Sequence, residues 1–262
     1  LVSSSAASDV YKRQIYTLSE ILGIPDEDRQ KLVSWMEFLE LAQYFTYEMI
    51  KEQNEGKTDS TPDPAMIDMF NVMIDEMFDY GRFILKNKRK HPSNDLLSAI
   101  ANAKIKDQEL SDEFLDGSWL LIIFAGNDTT RNTMSGGIKL LHDNQHQKEL
   151  LINNHDLLPG FINETVRCVS PVIHMRRTSL IETEIGGQKI GPHEKIALWY
   201  GAANRDPEIF DKPDEFNIQR ENAEKHLAFG IGRHTCLGKP IALMQLNESV
   251  SYTHLTLPTT RL

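Results

Sequence analysis

The sequence predicts a mainly α-helical protein with a small β region. Three observations carry that expectation. Apolar residues recur at helical spacing through most of the chain up to Pro171. One helical pattern, from Ser111 to about Asn144, is long and has an apolar middle, Leu120 to Phe124. Beyond Pro171 the period shortens to that of strands.

The elements follow in order. Pro25 with Asp26, Glu27 and Asp28 opens a helix, since proline and acids both suit a first turn. Leu32, Trp35, Met36, Leu39 and Phe45 continue it at helical spacing. Gln53 to Pro64 is polar and holds Gly, Thr, Asp and Pro, the composition of a surface loop. Met66 to Lys90 is an amphipathic helix that ends in a basic cluster before His91-Pro92, and its methionine face (Met66, Met69, Met73, Met77) reads as core or pocket lining. The pattern from Ser111 to Asn144 would span about 50 Å as one helix and cross the protein interior. Further helices cover Gln147 to Leu157 and Leu158 to Val169. Met175 to Trp199 reads as short strands around a Gly186-Gly187 turn. Ala202 to His226 is irregular, and Leu237 begins a last helix with Pro240 in its first turn.

The net charge of −10 argues against nucleic acid and anionic membrane as partners. Two cysteines, Cys168 and Cys236, make no disulfide framework and suit a reducing compartment, so a cytoplasmic location is expected. The longest apolar run, Trp119 to Gly126, is too short to span a bilayer. No internal repeat is present.

Four segments carry chemistry. Phe229 to Gly238, reading FGIGRHTCLG, sets Cys236 in a glycine-punctuated loop, after basic residues and before a helix. A helix N-terminus and neighbouring cations favour the thiolate, and thiolate is one of the axial ligands that haem iron accepts. The alternative is a structural cysteine in a tight turn. In Ala125-Gly126-Asn127-Asp128-Thr129-Thr130, a glycine and an acid stand within the long apolar helix, each at a cost. Thr129 can bond back to the carbonyl of residue 125, opening a groove beside the backbone; the alternative is close helix packing with Asp128 in a salt bridge. Glu164 and Arg167 share one helix face and can pair, as on any surface helix. Val172-Ile173-His174-Met175-Arg176-Arg177-Thr178 leaves that helix as a strand with two arginines, which a solvated edge would also show.

The cysteine segment resembles the haem-binding loop of the cytochrome P450 superfamily, and Phe229, Gly232, His234, Cys236 and Gly238 occupy the places of its pattern. The resemblance runs over nearly all of Ile15 to Ser249. It implies the cytochrome P450 fold, haem b as cofactor and Cys236 as the iron ligand. It implies Arg177 on one haem propionate and His234 near the other. Asp128 would be a proton gate and Thr129 would hydrogen-bond the distal atom of bound dioxygen, with Ala125, Gly126, Val172 and Ile173 beside the substrate. Glu164, Arg167 and Arg220 would form a buried ion network beneath the cysteine loop. The implied activity is monooxygenation of an unactivated C–H bond, with O2 and with electrons from a ferredoxin and its reductase. Lys225, Arg233 and Lys239 flank the loop and suit either an acidic partner or solvent. The spellings GNDTTRN (126–132) and HMRRT (174–178), with Trp199-Tyr200 and Asn204-Arg205-Asp206, are similar to bacterial enzymes that hydroxylate the terminal carbon of alkanes and fatty acids; sterol side-chain hydroxylases share parts of them. Two rival readings are a haem-binding sensor or carrier without oxygenase chemistry, against which the Asp128-Thr129 pair speaks, and a truncated fragment without function.

The sequence also departs from that pattern. His193 stands at a turn position where the family usually has glycine, and Ile241 to Met244 is apolar where a charge is common. Asp9 to Gln14 (DVYKRQ) and Val250 to Leu255 (VSYTHL) back-translate to the two complementary strands of a transposon-end sequencing adapter. Residues 1–14 and 250–262 are therefore expected to be translated adapter, and 15–249 a partial cytochrome P450 domain without its N-terminal helices and C-terminal hairpin.

Overall fold

The computed structural model describes residues 15–55, 64–126 and 128–250. Of the expected adapter segments 1–14 and 250–262, only Val250 falls among them, as the last residue of the final helix. The chain divides into two compact units, Leu1–Asp128 and Thr129–Leu262.

In the first unit α1, described over 15–22, ends at Gly23, whose φ of +68° reverses the chain. Pro25 and its acids form a 3-10 turn, Asp26–Asp28, leading into α2 (Arg29–Asn54). Residues 56–63 of the expected polar loop lie outside the described residues, and α3 (Pro64–Lys90) follows. Asp95 caps α4 (Leu96–Ala101), accepting from the Ser98 amide (2.7 Å) and pairing with Lys88 (2.6 Å). A hairpin of β1 (Lys104–Ile105) and β2 (Gln108–Glu109) was not expected from the sequence. Its turn residues, Lys106 and Asp107, take positive φ without a glycine. Ser111 then caps α5 (Asp112–Ala125).

Trp35, Met77, Trp119 and Ile123 lie at the centre of this unit. The Trp119 indole donates to the Met77 carbonyl (2.9 Å) and packs with Trp35 and Tyr80 at ring separations of 6.2 and 5.9 Å. Gly81 makes room for it, since a Cβ there would lie 2.5 Å from the indole.

Two expectations are corrected here. The helix expected over 111–144 comes as two, α5 and α6 (Asp128–Asp143), parted at Gly126, a residue of low helix propensity. Nor is α5 buried all round. Leu115, Trp119 and Ile123 share the buried face at four-residue spacing, while Leu121 (66% exposed) and Phe124 stand outside it. The methionine face of α3 likewise buries Met77 fully and Met73 in part, and leaves Met69 exposed.

In the second unit α7 (Gln145–Asn153) and a 3-10 turn lead to α8 (Leu158–Val169), the unit's packing centre. Gly137 of α6 lets Thr165 approach, and Gly160 lies beneath the backbone of Ile218. Ser170, at φ +42°, ends α8 just before Pro171. The β region is two antiparallel pairs. β3 (His174–Thr178) pairs with β6 (Lys195–Trp199), and β4 (Thr183–Ile185) with β5 (Gln188–Ile190) across Gly186-Gly187, both at positive φ. His193 has φ +68°, the conformation that glycine would take more easily. After α9 (Tyr200–Ala203) the chain is irregular up to α10 (Lys239–Val250), which starts two residues later than Leu237 and keeps Pro240 in its first turn.

A Cβ on Gly160 would lie 2.3 Å from the Ile218 carbonyl oxygen, whereas one on Gly117 would meet nothing within 4 Å. Gly160→Ala should cost about 1–3 kcal/mol in urea unfolding, and Gly117→Ala should gain up to about 1 kcal/mol. Equal midpoints for the two variants would contradict the close approach of Ile218 to α8.

Candidate functional site

The segment before α10 contains no long helix or strand, so its main chain needs other partners. The 3-10 turn Ala223–Lys225 ends at His226. The Leu227 amide then donates to Asn204 Oδ1 (2.6 Å) and the Ala228 amide to His226 Nδ1 (3.3 Å). Gly230 and Gly232, at φ +68° and +71°, turn the chain twice. The Cys236 amide closes the loop on the Phe229 carbonyl (2.8 Å), and the Cys236 carbonyl accepts from the Lys239 amide at the start of α10 (3.3 Å). The Phe229 ring packs with the His226 imidazole (5.6 Å, ring to ring) and carries the Lys239 ammonium over its face (5.6 Å).

The loop presents Cys236 to the outside, between Ile231 (76% exposed) and Leu237 (80%). A Cβ on Gly232 would meet nothing, and one on Gly238 would meet only Cys236 Sγ, at 3.9 Å. An open thiol among exposed apolar side chains, without bulk at either glycine, fits a large flat apolar group with a thiolate-seeking metal. His234 is exposed in the 3-10 turn Gly232–His234. Arg177, half-buried on β3, donates to the Arg176 carbonyl (2.9 Å) and pairs with no carboxylate among the described residues, so its charge is available to an anionic group. The other cysteine differs. Burial, with Glu164 nearby, pushes the Cys168 thiol up to about 11, and Arg167 contacts its sulfur (3.2 Å).

Behind the loop, Glu164, Arg167 and Arg220 come together. Arg167 makes two hydrogen bonds to the Glu164 carboxylate (2.8 Å each), and Arg220 Nε reaches both oxygens at 3.1 Å. Glu164 and Arg167 are fully buried. Arg167 also donates to the Asn204 carbonyl (2.7 Å), and the Asn204 amide donates to Ser170 Oγ (2.8 Å), which bonds back to the Arg167 carbonyl (2.8 Å). Asn204 thus joins the ion network directly to the Leu227 amide. Sequence reasoning missed Asn204 and His226 as site residues, because one sequence does not distinguish a buried Asn or His from an exposed one.

Asp128 and Thr129 begin α6, and buried Thr133 donates to the Thr129 carbonyl (2.8 Å). Gly126 donates to the Ile122 carbonyl (3.0 Å), and a Cβ there would lie 2.8 Å from Leu18. On that side the glycine serves helix packing rather than an open groove. Ala125 is the last residue of α5. Val172 is half-buried and Ile173 exposed, just before β3. Asp128 closes the first unit, and the cysteine loop lies in the second.

The family model described as cytochrome P450 matches residues 30–251. Among curated relatives, linalool 8-monooxygenase of Pseudomonas putida is 33% identical over 88% of this chain and 53% of its own length. Steroid C26-monooxygenase of Mycolicibacterium smegmatis is 32% identical over 94% of this chain and 57% of its own. The chain therefore spans little more than half the length of these relatives. Among solved structures, cytochrome P450-153 from Novosphingobium aromaticivorans superposes with a TM-score of 0.76 at 31% identity, over 94% of this chain and 55% of that one. P450BioI, solved with an acyl carrier protein bearing hexadec-9Z-enoic acid, gives 0.74 at 28% identity, over 92% and 58%. Among the described residues no helix is long and apolar enough to cross a membrane.

Glu164→Gln keeps shape but removes the charge between two guanidinium groups. It should cost about 3–5 kcal/mol and raise amide exchange from Leu227 to Cys236, while the core of the first unit stays protected. Unchanged exchange in the loop would sever the proposed link.

Burial, with Lys239 and Arg167 adding repulsion against Glu224's attraction, holds the His226 imidazole down at about 4, below its ordinary 6.5. Between those values the unfolded chain takes up a proton that the folded ring refuses, so this contribution to stability is present above the unfolded value and declines as the pH falls. From about pH 7 to about pH 5 the loss should be about 2 kcal/mol in thermal or urea unfolding, and His226→Asn should abolish this part of the pH dependence.

Proposed function

The chain belongs to the cytochrome P450 family, whose members carry haem, and from that premise we propose that the protein containing it is a haem-thiolate monooxygenase. The reaction proposed is insertion of one atom of O2 into an unactivated C–H bond of a hydrophobic substrate. The observation that carries this reading is the Cys236 loop: an exposed thiol with apolar flanks and no side chains at Gly232 and Gly238.

Haem b would supply the redox chemistry and the activation of O2. Cys236 would hold the metal through its sulfur. Phe229, packed with His226 and Lys239, would hold the Cys236 main chain through its carbonyl beside the bound cofactor. Arg177 would bind one propionate, which suits a guanidinium's paired donors, and His234 would lie near the other. Asp128 holds and passes protons, and the Thr129 hydroxyl orders them. Ala125, Gly126, Val172 and Ile173 contact the substrate. Glu164, Arg167 and Arg220 touch neither substrate nor cofactor and hold the loop.

The substrate class proposed is an alkane or fatty acid, or the side chain of a sterol. Support comes from the apolar compounds named for the relatives, linalool and steroid, and from the fatty acyl chain carried to P450BioI. A ferredoxin with its reductase is proposed as electron source, docking at the exposed Lys225 and Arg233.

The test uses the full-length protein. The ferrous carbonyl complex should show the red-shifted Soret band of a thiolate-ligated haem, and Cys236→His should abolish it. Thr129→Ala should keep that band but divert reducing equivalents to peroxide, with product formation falling by about 10²–10⁴ if proton delivery is lost. A wild-type spectrum typical of histidine ligation would overturn the haem-thiolate assignment, and fully coupled Thr129→Ala would overturn the proton role.

A further inference from the structure

We infer that His226 is a positioning residue for the cysteine loop, acting through the Ala228 amide and Phe229 on the main chain of Cys236; this rests on the reading of Cys236 as haem ligand.

The His226 side chain is 7% exposed. Its Nδ1 accepts from the Ala228 amide (3.3 Å), so in the neutral ring the proton must sit on Nε2. Nε2 has no hydrogen-bond partner among the described residues. A residue serving only to fill space would be Leu or Phe, which bring no buried donor that needs a partner. What the imidazole adds is the acceptor and a ring face for Phe229 (5.6 Å, 50° between planes). The bonds run on without a gap. Asn204 holds the Leu227 amide, His226 holds the Ala228 amide, and the Phe229 carbonyl holds the Cys236 amide. Removing the second of these frees the residue just before Phe229, whose carbonyl fixes Cys236. The thiolate's direction toward the metal depends on that backbone, as ligand orientation in metal sites depends on the groups behind the ligand.

Three variants separate the parts: His226→Phe keeps a ring without the acceptor, His226→Asn keeps an acceptor near the place of Nδ1, and His226→Leu keeps neither. In the haem-free protein, His226→Phe and His226→Leu should speed exchange of the Ala228 and Cys236 amides by about tenfold or more, the equivalent of one hydrogen bond, and His226→Asn should restore it. In the haem-loaded protein the same two variants should lose part of the thiolate Soret band and shift the reduction potential, again with rescue by Asn. Wild-type exchange and spectra in His226→Phe would overturn the inference, as would failure of Asn to rescue. Nitrogen-15 shifts of the wild-type ring give a check that needs no variant: Nε2–H supports the role and an Nδ1–H tautomer overturns it. If the wild type lacks a thiolate band, the haem-ligand reading fails by itself, and exchange and tautomer still decide whether His226 holds the loop.

Discussion

The irregular stretch of the second unit is oriented through one carboxylate. Glu164 is fully buried on α8 and meets two guanidinium groups, Arg167 one turn further along and Arg220 from the irregular segment beyond α9. A lone charge at that depth would be prohibitive, and the arginines make it tolerable only by satisfying its oxygens in a fixed plane. Their remaining donors are then spent on main-chain carbonyls. Arg167 takes those of Asn204 and Pro213, and Arg220 those of Lys212 and Glu215. A stretch with almost no secondary structure is thereby tied to a helix.

The two units solve the same problem by different physics. The first is held by a contiguous apolar core around Trp35, Met77 and Trp119, where dispersion and burial act without much direction. The second uses Glu164, Arg167, Ser170 and Asn204, all buried and all polar. Hydrogen bonds stabilise little on balance but impose angles, and a loop that is to aim one sulfur, as proposed for Cys236, needs angles.

Much of this was legible in the sequence, for identifiable reasons. The residue range of α8 and the Gly186-Gly187 turn followed from periodicity and turn chemistry, which are local. The strained turn at His193 was also foreseen, since any side chain at a position usually held by glycine resists positive φ. What failed was non-local. Leu120 to Phe124 read as apolar on every side, but only packing with α2 and α3 decides which face is covered, and Leu121 lies outside it. The β1–β2 turn uses Lys106 and Asp107, which carry no strong turn signal. At the site, the motif residues were visible because their spacing is fixed by what they would bind. Asn204 and His226 have no such spacing: the role of Asn204 arises only when residues 23 positions apart are brought together, and that of His226 from burial.

The path from Glu164 to Cys236 also explains why the cysteine can be exposed without being loose. Exposure of Cys236, Ile231 and Leu237 leaves the outer side of the loop with few contacts of its own. Order must then come from the inner side, through the Leu227 and Ala228 amides and the pinned Phe229 ring. Replacing Glu164 and both arginines by apolar residues of similar volume could keep the second unit folded, because a buried ion network is a modest source of stability. It would leave the carbonyls of Asn204, Pro213 and Glu215 without donors and Asn204 free to turn. The loop would then keep its sequence and lose its aim. On the proposed reading of Cys236, the network serves to orient the thiol more than to stabilise the fold.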